Sequence, residues 1–373
     1  MTSKLILVTG ATGYIASRLI PRLLERGYRI RALARHPKRL KTRKWYSQVE
    51  VMQGDVTDPS SLPRALEGVW TAYYLIHNMS SGHGYASREI EGARNFASAA
   101  EAAGVEHIIY LGGLADPEQH IAPHLRSRIE TGMTLRRGKV PVTEFRAGVI
   151  IGSGSISFEM IRFMTELFPV IPGPAWMRNK SQPIAAQNVV DYLLAALENH
   201  NGEGGAFEIG GPGSFTYREL MQKYAEIRGH KRGFLLLPCI PVWFMAFGIG
   251  WMTPVPYPIA YALAGGLSSD SVVRHGGAGE TFPEVRLIDF ESAVREAMKR
   301  LHPLEVEQVW DDGRDASLKH EGFFILHRKD RKAGEFIHRK FSFGEEWSNG
   351  QTLYFAPFGL CGFLYWAFRR LWW

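Results

Sequence analysis

Short aliphatic runs alternate with amphipathic segments along the first 150 residues of the chain. Each amphipathic segment repeats apolar positions at helical spacing and is followed closely by a glycine. The predicted strands are Lys4–Val8, Arg29–Ala34, Val49–Met52, Val69–Ile76, His107–Leu111 and Val142–Arg146. The predicted helices are Tyr14–Arg26, Pro59–Glu67, Arg88–Ala103 and His124–Arg137. This alternation predicts a doubly wound α/β fold, in which helices cover both faces of a parallel sheet.

A glycine-rich turn follows the first predicted strand. Its residues are Gly10, Ala11, Thr12, Gly13, Tyr14 and Ile15. Gly10 permits a tight turn, and Gly13 lets the backbone approach a pyrophosphate at the positive end of the next helix. Because a strand precedes the motif and a helix follows it, the motif predicts a dinucleotide site. The alternative is a helix-start turn that binds no ligand.

Basic residues follow the second predicted strand. Dinucleotide-binding folds normally place an acid there, which accepts hydrogen bonds from the ribose 2′-hydroxyl. This chain instead has Arg35, followed by Lys38 and Arg39. Charge-assisted hydrogen bonds from these side chains suit a 2′-phosphate, so they predict NADP rather than NAD. A solvated basic helix start is the alternative.

Two further strand ends point to the same crevice. Asp55 and Val56 follow the third strand, where a carboxylate and a backbone N–H suit the edge of an adenine, although Asp55 equally suits the cap of a short turn. Leu75, Ile76 and His77 end the fourth strand where ligands bind in such folds.

Composition narrows the class of protein. The chain has 373 residues, a net charge of +7 and 45% hydrophobic residues, which excludes a disordered or fibrous protein. Acidic residues are interspersed with the basic ones, so no nucleic-acid partner is expected.

Cys239 and Cys361 lack metal-binding or redox spacing, so no metal site is expected. The N-terminal apolar run is too short for a signal peptide, and a cytoplasmic location is predicted.

Several longer segments carry a family resemblance. It rests on VTGATGYIASRLIPRLLERGYRIRALAR, GDVTDP, IEGARNFASAAEAAGVEHIIYLGG and FRAGVIIGSGS, which together resemble an atypical or extended short-chain dehydrogenase/reductase of the NAD(P)-binding, epimerase-like kind. SQPIAAQNVVDYLLAALEN and AFEIGGPGSFTYRELM resemble the substrate lobe of that group. The resemblance implies a Rossmann domain over residues 1–150 and a small α+β substrate lobe over residues 151–303, interleaved with it.

The catalytic pattern of the extended reductases is incomplete in this chain. Their Tyr-x-x-x-Lys pair and strand-end Ser or Thr are replaced by His124, Arg128 and the hydroxyl-free run Leu111–Leu114. In one interpretation His124 is a general acid/base that titrates near neutrality, and Arg128 contacts the nicotinamide ribose or the substrate. In the other, which is favoured, His124 only begins the helix and Arg128 pairs with a carboxylate. His77 and Gly112 are expected beside the nicotinamide.

The rear of the chain is apolar. Gly233–Ser269 contains no charged residue, but its prolines leave only Val242–Thr253 uninterrupted, which is too short to span a membrane. It is therefore expected to form a hydrophobic lid over the nicotinamide end, with a transmembrane hairpin as the alternative. Ser317–Phe324 and Thr352–Phe368 resemble the ends of a helix-grip domain, so residues 304–373 are predicted to be a truncated remnant of one. Residues 352–373 are expected either to contact a lipid surface peripherally or to pack on the substrate lobe.

Two functions remain open from the sequence. The first is an NADP(H)-dependent oxidoreductase that acts on a hydrophobic carbonyl, enone or quinone-like small molecule. The second is a non-catalytic NADP-binding sensor or assembly factor associated with a membrane or a membrane-protein partner. The missing hydroxyl, Tyr and Lys favour the second function, whereas the glycine-rich turn agrees with both.

Overall fold

The computed structural model describes residues 4–77, 84–116, 118–119, 121–199, 202–237, 240–252, 255 and 257–299, with the short strand pair at 329–330 and 335–336. The strands are β1 (Leu5–Thr9), β2 (Arg29–Ala34), β3 (Glu50–Gln53), β4 (Thr71–Tyr74), β5 (His107–Gly113), β6 (Val142–Ala147), β7 (Ile150–Ile151), β8 (Val170–Pro174), β9 (Lys180–Ser181), β10 (Ile184–Ala185), β11 (Ala206–Ile209), β12 (Phe215–Thr216), β13 (Gly233–Leu237), β14 (Lys329–Asp330) and β15 (Glu335–Phe336). The helices are α1 (Tyr14–Glu25), α2 (Leu62–Leu66), α3 (Tyr85–Ala102), α4 (Pro123–Arg136), α5 (Ile156–Leu167), α6 (Ala186–Glu198), α7 (Tyr217–Ile227), α8 (Val242–Met252), α9 (Tyr257–Gly266), α10 (Gly277–Thr281) and α11 (Phe290–Lys299).

Seven parallel strands form the central sheet, in the order β11-β6-β5-β4-β1-β2-β3. Val8 of β1 lies between Ala32 of β2 and Tyr73 of β4. The strand order reverses between β1 and β4, and this reversal opens a crevice at the carboxyl ends of those strands. The predicted doubly wound fold is confirmed, and β11, which falls within the range 151–303, completes the edge of the central sheet.

Both faces of the sheet are covered by buried apolar side chains. On one face, Leu19 and Ile20 of α1 pack with Val189 and Leu193 of α6. On the other face, Leu62 and Leu66 of α2 pack with Phe96 of α3. Burial on both sides explains why the strands read as continuous aliphatic runs rather than as an alternating pattern.

A second core lies in the lobe built mainly from residues 151–299. It brings Phe158 of α5 against Tyr224 of α7, and it includes Ile249 of α8 and Ile259 of α9. Because α6 and β11 return to the central sheet between these elements, the chain passes back and forth between the two parts.

The uncharged stretch Gly233–Ser269 forms β13, α8 and α9. Within the described ranges, no helix is both long enough and apolar enough to cross a bilayer. The segments predicted to be a helix-grip remnant, and the expected lipid contact of residues 352–373, lie outside the described residues.

Candidate cofactor and substrate cavity

A single continuous cavity of about 450 Å³ extends from the crevice between β1 and β4 into the second lobe. The predicted site residues that line it are Gly10, Thr12, Gly13, Tyr14, Ile15, Arg35, Asp55, Val56, Leu75, Ile76, His77, Gly112, His124 and Arg128. Three other predicted residues do not line it. Ala11 is fully buried beneath the turn, and Lys38 and Arg39 lie in the 3-10 turn Pro37–Leu40, where Lys38 faces solvent.

The glycine-rich turn is fitted closely against β4. Gly10 has a φ of 63°, and a Cβ at this position would lie 2.6 Å from the carbonyl oxygen of Leu75. The N–H of Gly13 donates to the carbonyl of Gly10 over 2.7 Å, and Gly13 is the N-cap of α1. Thr9 Oγ1 donates to the Tyr73 carbonyl and accepts from the N–H of Leu75. These contacts aim the N-terminus of α1 at the cavity, as a phosphate-binding turn requires.

At the other end of the crevice, Arg35 lies exposed just beyond β2, and its side chain borders the cavity. Asp55 Oδ1 accepts hydrogen bonds of 3.0 and 2.9 Å from the N–H and Oγ1 of Thr57. Asp55 therefore fixes a local turn while it lines the cavity, and the cap of the following 3-10 turn is Asp58. The cationic side chain and the turn border the same end of the cavity.

A cluster of buried polar side chains lies where the two lobes meet. Arg128 Nε lies 3.3 Å from His77 Nδ1, and Glu89 Oε1 lies 3.2 Å from the same nitrogen. Ser127 Oγ donates a short hydrogen bond to the other carboxylate oxygen of Glu89. The hydroxyl of Tyr110 donates to the Arg128 carbonyl over 2.9 Å, which anchors α4 to β5. The cluster thus joins the end of β4 to α3 and α4.

Burial governs the charge of both histidines. Desolvation, followed by the positive charge of Arg128, lowers the pKa of His77 to about 4. The same two causes lower the pKa of His124 to about 3. His124 is 6% exposed and is neutral at physiological pH. The expectation that His124 titrates near neutrality is therefore wrong.

Glu89 was missed by the sequence analysis. It is 5% exposed and lies on α3 one turn before Ala93, on the face that buries Phe96. The signal that could have found it is an acid at a buried position of a predicted helix. A buried carboxylate requires a partner, so such an acid indicates a polar cluster. The favoured interpretation of Arg128 invoked a nearby carboxylate, and Glu89 is the acid whose charge interacts with it.

The far end of the cavity is apolar. Its walls there are flexible and branched aliphatic side chains, namely Met160, Ile161, Met164, Met177, Met221, Met245, Ile249, Ile259 and Leu263. Unbranched Met side chains adapt to ligands of different shapes. The ring of His124 forms the boundary, since a Cβ at Gly266 of α9 would lie 3.1 Å from its Nε2.

Comparison with known proteins agrees with this arrangement. The model of the NmrA-like family matches residues 2–216. A (4-alkanoyl-5-oxo-2,5-dihydrofuran-3-yl)methyl phosphate reductase of Streptomyces griseus is 30% identical over 291 residues, which cover 76% of this chain and 92% of the relative.

Two solved structures share the fold. The triphenylmethane reductase of Citrobacter sp. complexed with NADP(H) gives a TM-score of 0.64 at 23% identity, covering 78% of this chain and 99% of that one. The NADPH-dependent quinone oxidoreductase of Escherichia coli complexed with NADPH gives 0.63 at 20% identity, covering 78% and 98%. The predicted resemblance to the atypical short-chain reductases is confirmed, and the chain belongs to the NmrA-like family.

Proposed function

We propose that this protein is an NADPH-dependent reductase that transfers hydride to an apolar carbonyl, enone or quinone-like molecule. The observation that carries the proposal is the continuity of the cavity. One space joins the glycine-rich turn and Arg35 to His77, His124 and Arg128, and from there to the apolar wall of the second lobe.

The residues at the sheet end fit NADPH. The positive N-terminal end of α1 suits a pyrophosphate, and the backbone at Gly10 leaves no room for a side chain. Arg35 supplies the positive charge that a 2′-phosphate requires, at the position where NAD-binding folds have an acid. The NADP(H) and NADPH held by the two similar solved structures support this choice.

The residues at the lobe boundary fit a reduction. A bound NADPH would supply the hydride, and negative charge would then develop on the substrate oxygen. Donors placed in a buried site stabilise such charge more strongly than water does. Arg128 offers a permanent positive charge, and the neutral ring of His124 offers an N–H. His124 acts in this proposal as a hydrogen-bond donor rather than as an acid that titrates near neutrality.

The apolar wall sets the substrate class. Five methionines line the second lobe, and this wall excludes water from the reacting groups. A hydrophobic substrate would fill it without leaving polar groups unpaired.

The test is to titrate the protein with NADPH and then to follow NADPH oxidation with a panel of quinones, enals and hydrophobic aldehydes. We expect oxidation with at least one class, and we expect His124→Ala to lower kcat by roughly tenfold or more without changing NADPH affinity. NADPH binding without oxidation by any member of the panel would contradict the proposal and would favour a non-catalytic sensor or assembly factor.

A further inference from the structure

Exposed apolar side chains are concentrated on four elements of the second lobe. Of the ten large apolar side chains exposed in the described ranges, eight lie on β8, β13, α8 and α9. We call these eight the apolar face: Val170, Leu235, Leu237, Trp243, Phe244, Phe247, Tyr257 and Tyr261. The other two, Met133 and Leu287, lie elsewhere. Such concentration distinguishes an interaction surface from the scattered apolar residues of an ordinary exterior.

The four elements pack on the one core of the second lobe. β13 pairs in parallel with β8 along its whole length. α8 and α9 form a close hairpin, because a Cβ at Gly250 would lie 3.2 Å from the backbone nitrogen of Tyr257. Leu236 of β13 and Met245 of α8 pack on the same core of the second lobe.

The α8–α9 hairpin has two apolar sides. Its inward side chains Met245, Ile249, Ile259 and Leu263 line the cavity. Its outward aromatic side chains are exposed, with Trp243 at 58% and Phe247 at 60%. A helix with its side chains is about 10 Å thick. One layer of helix therefore separates the cavity from the apolar face.

The chain segments that carry the apolar face contain basic residues. Residues 167–180 and 229–269, which contain β8, β13, α8 and α9, include Arg178, Lys180, Lys231 and Arg232 but no acid. Arg178 and Lys231 are exposed. The guanidinium of Arg218 lies 5.3 Å from the ring centre of Phe234 on β13. We call Arg178, Arg218 and Lys231 the basic rim.

An anionic lipid surface complements both features. A second copy of this chain docked through the same face would bring an identical basic rim against the first, and residues 347–373 carry Arg369 and Arg370 without an acid. Neither offers the negative charge that the rim requires, whereas anionic headgroups attract basic residues that flank an inserted apolar surface. Trp and Tyr are also the side chains preferred at headgroup depth.

We propose that the apolar face docks on an anionic phospholipid surface, with α8 and α9 lying in the headgroup region. At 1.5 Å per residue these helices are about 16 and 15 Å long, half the thickness of a bilayer core of about 30 Å, so they lie in the surface rather than span it. If the reductase function proposed above holds, this placement brings the cavity within one helix layer of a bilayer that can hold a lipophilic substrate.

The experiment is co-sedimentation of the full chain with vesicles of phosphatidylcholine alone or with three parts in ten phosphatidylglycerol. We expect at least about tenfold tighter binding to the anionic vesicles. Combined Trp243→Ser and Phe247→Ser should weaken binding about tenfold or more, and Arg218→Glu with Lys231→Glu should remove the preference for anionic lipid. Combined Met133→Ser and Leu287→Ser is the matched control, which should bind as the unmodified protein does. NADPH affinity, measured on every variant, should be unchanged and reports that each is folded.

Several results would overturn the docking proposal. One is the absence of binding to either vesicle, and another is full binding by the aromatic variant. A third is loss of binding through Arg369→Glu with Arg370→Glu alone, which would assign the contact to the C-terminal segment. A fourth is a dimer by light scattering that the aromatic variant converts to monomer. None of these depends on NADPH oxidation, so failure of this proposal is distinguishable from failure of the reductase proposal.

Discussion

Arg128 Nε faces Nδ1 of His77 across 3.3 Å, and Glu89 Oε1 lies 3.2 Å from the same nitrogen. Arg128 has only donors, so the contact requires an unprotonated Nδ1 and places the proton of the neutral ring on Nε2. Nε2 is buried and has no hydrogen-bond partner among the described residues. Glu89 requires the opposite tautomer, because its oxygen would accept a proton from Nδ1. A substrate oxygen that accepts from Nε2 would select the tautomer that faces Arg128.

Stability should depend on pH through His77. Its pKa is about 4 in the folded chain and near 6.5 when unfolded, so the unfolded chain binds the extra proton between these values and stability falls as the pH drops from 6.5 toward 4. At pH 4.5 the contribution is about 2–3 kcal/mol relative to pH 7. The free energy of unfolding is measured by urea denaturation at both pH values. The decrease from pH 7 to pH 4.5 should be smaller in His77→Asn by this amount.

The matched control for His77 is His36→Asn, because His36 is exposed just beyond β2. Comparison of the two variants separates the effect of the buried position from the mere loss of a histidine. An unchanged pH dependence in His77→Asn would show that His77 is not held neutral by its surroundings.

The cofactor preference should depend on Arg35. Arg35→Ala removes a charged hydrogen-bond donor worth about 1.5–3 kcal/mol, so the Kd for NADPH should rise roughly tenfold to a hundredfold while the Kd for NADH stays the same. Fluorescence titration with both cofactors provides the measurement. Lys41→Ala, in the same basic segment, should change neither Kd. Equal losses for the two cofactors in Arg35→Ala would refute the assignment of the 2′-phosphate.

Alanine substitutions at two glycines with positive φ distinguish the cost of backbone strain from the cost of a steric clash. Gly27→Ala places a side chain at a φ of 80° with no described atom within 4 Å of its Cβ, and should cost about 1–2 kcal/mol. Gly10→Ala adds a close approach to the Leu75 carbonyl, at 2.6 Å, and should cost a further ~1–3 kcal/mol. Thermal unfolding with and without NADPH tests both variants. Gly27→Ala should keep the stabilisation by NADPH and Gly10→Ala should lose it; equal behaviour would mean that the turn does not bind the cofactor.

The end of α9 should control the position of His124. A Cβ at Gly266 would lie 3.1 Å from His124 Nε2, so Gly266→Ala must displace the ring or the helix. Because small displacements of reacting groups are costly, kcat/KM should fall roughly tenfold while NADPH affinity is kept. Gly265→Ala is the control, since its Cβ meets Ala122 at an ordinary 3.6 Å. If both variants kept the kcat/KM of the unmodified protein, His124 would have no part in the reaction.

The sequence predicted the sheet end of the site more completely than the lobe boundary. The motif around Gly10 and the strand end at His77 are local, and parallel strands bring such ends together by topology. Glu89 and Ser127 are 38 positions apart, and their contact arises only from the packing of α3 on α4. The low pKa of His124 likewise depends on burial, which the residue type does not show.

For the uncharged stretch Gly233–Ser269, the sequence indicated a place beside the cavity but not which side chains are exposed. The uncharged stretch was expected to be a lid, and the structure shows α8 and α9 lining the cavity. The exposure of Trp243 and Phe247 could not be predicted, because these helices are apolar on all sides and periodicity gives no outward face.

Hydride transfer itself is tested by isotope. NADPH carrying deuterium at the transferable position of the nicotinamide is incubated with the protein and with whichever quinone, enal or aldehyde of the panel supports oxidation, and the product is examined by mass spectrometry. A product that carries the deuterium of the cofactor is the predicted result, and Gly10→Ala should abolish its formation. NADPH that remains bound and unoxidised, or a reduced product without the label, would contradict the assignment of this cavity to a reductase.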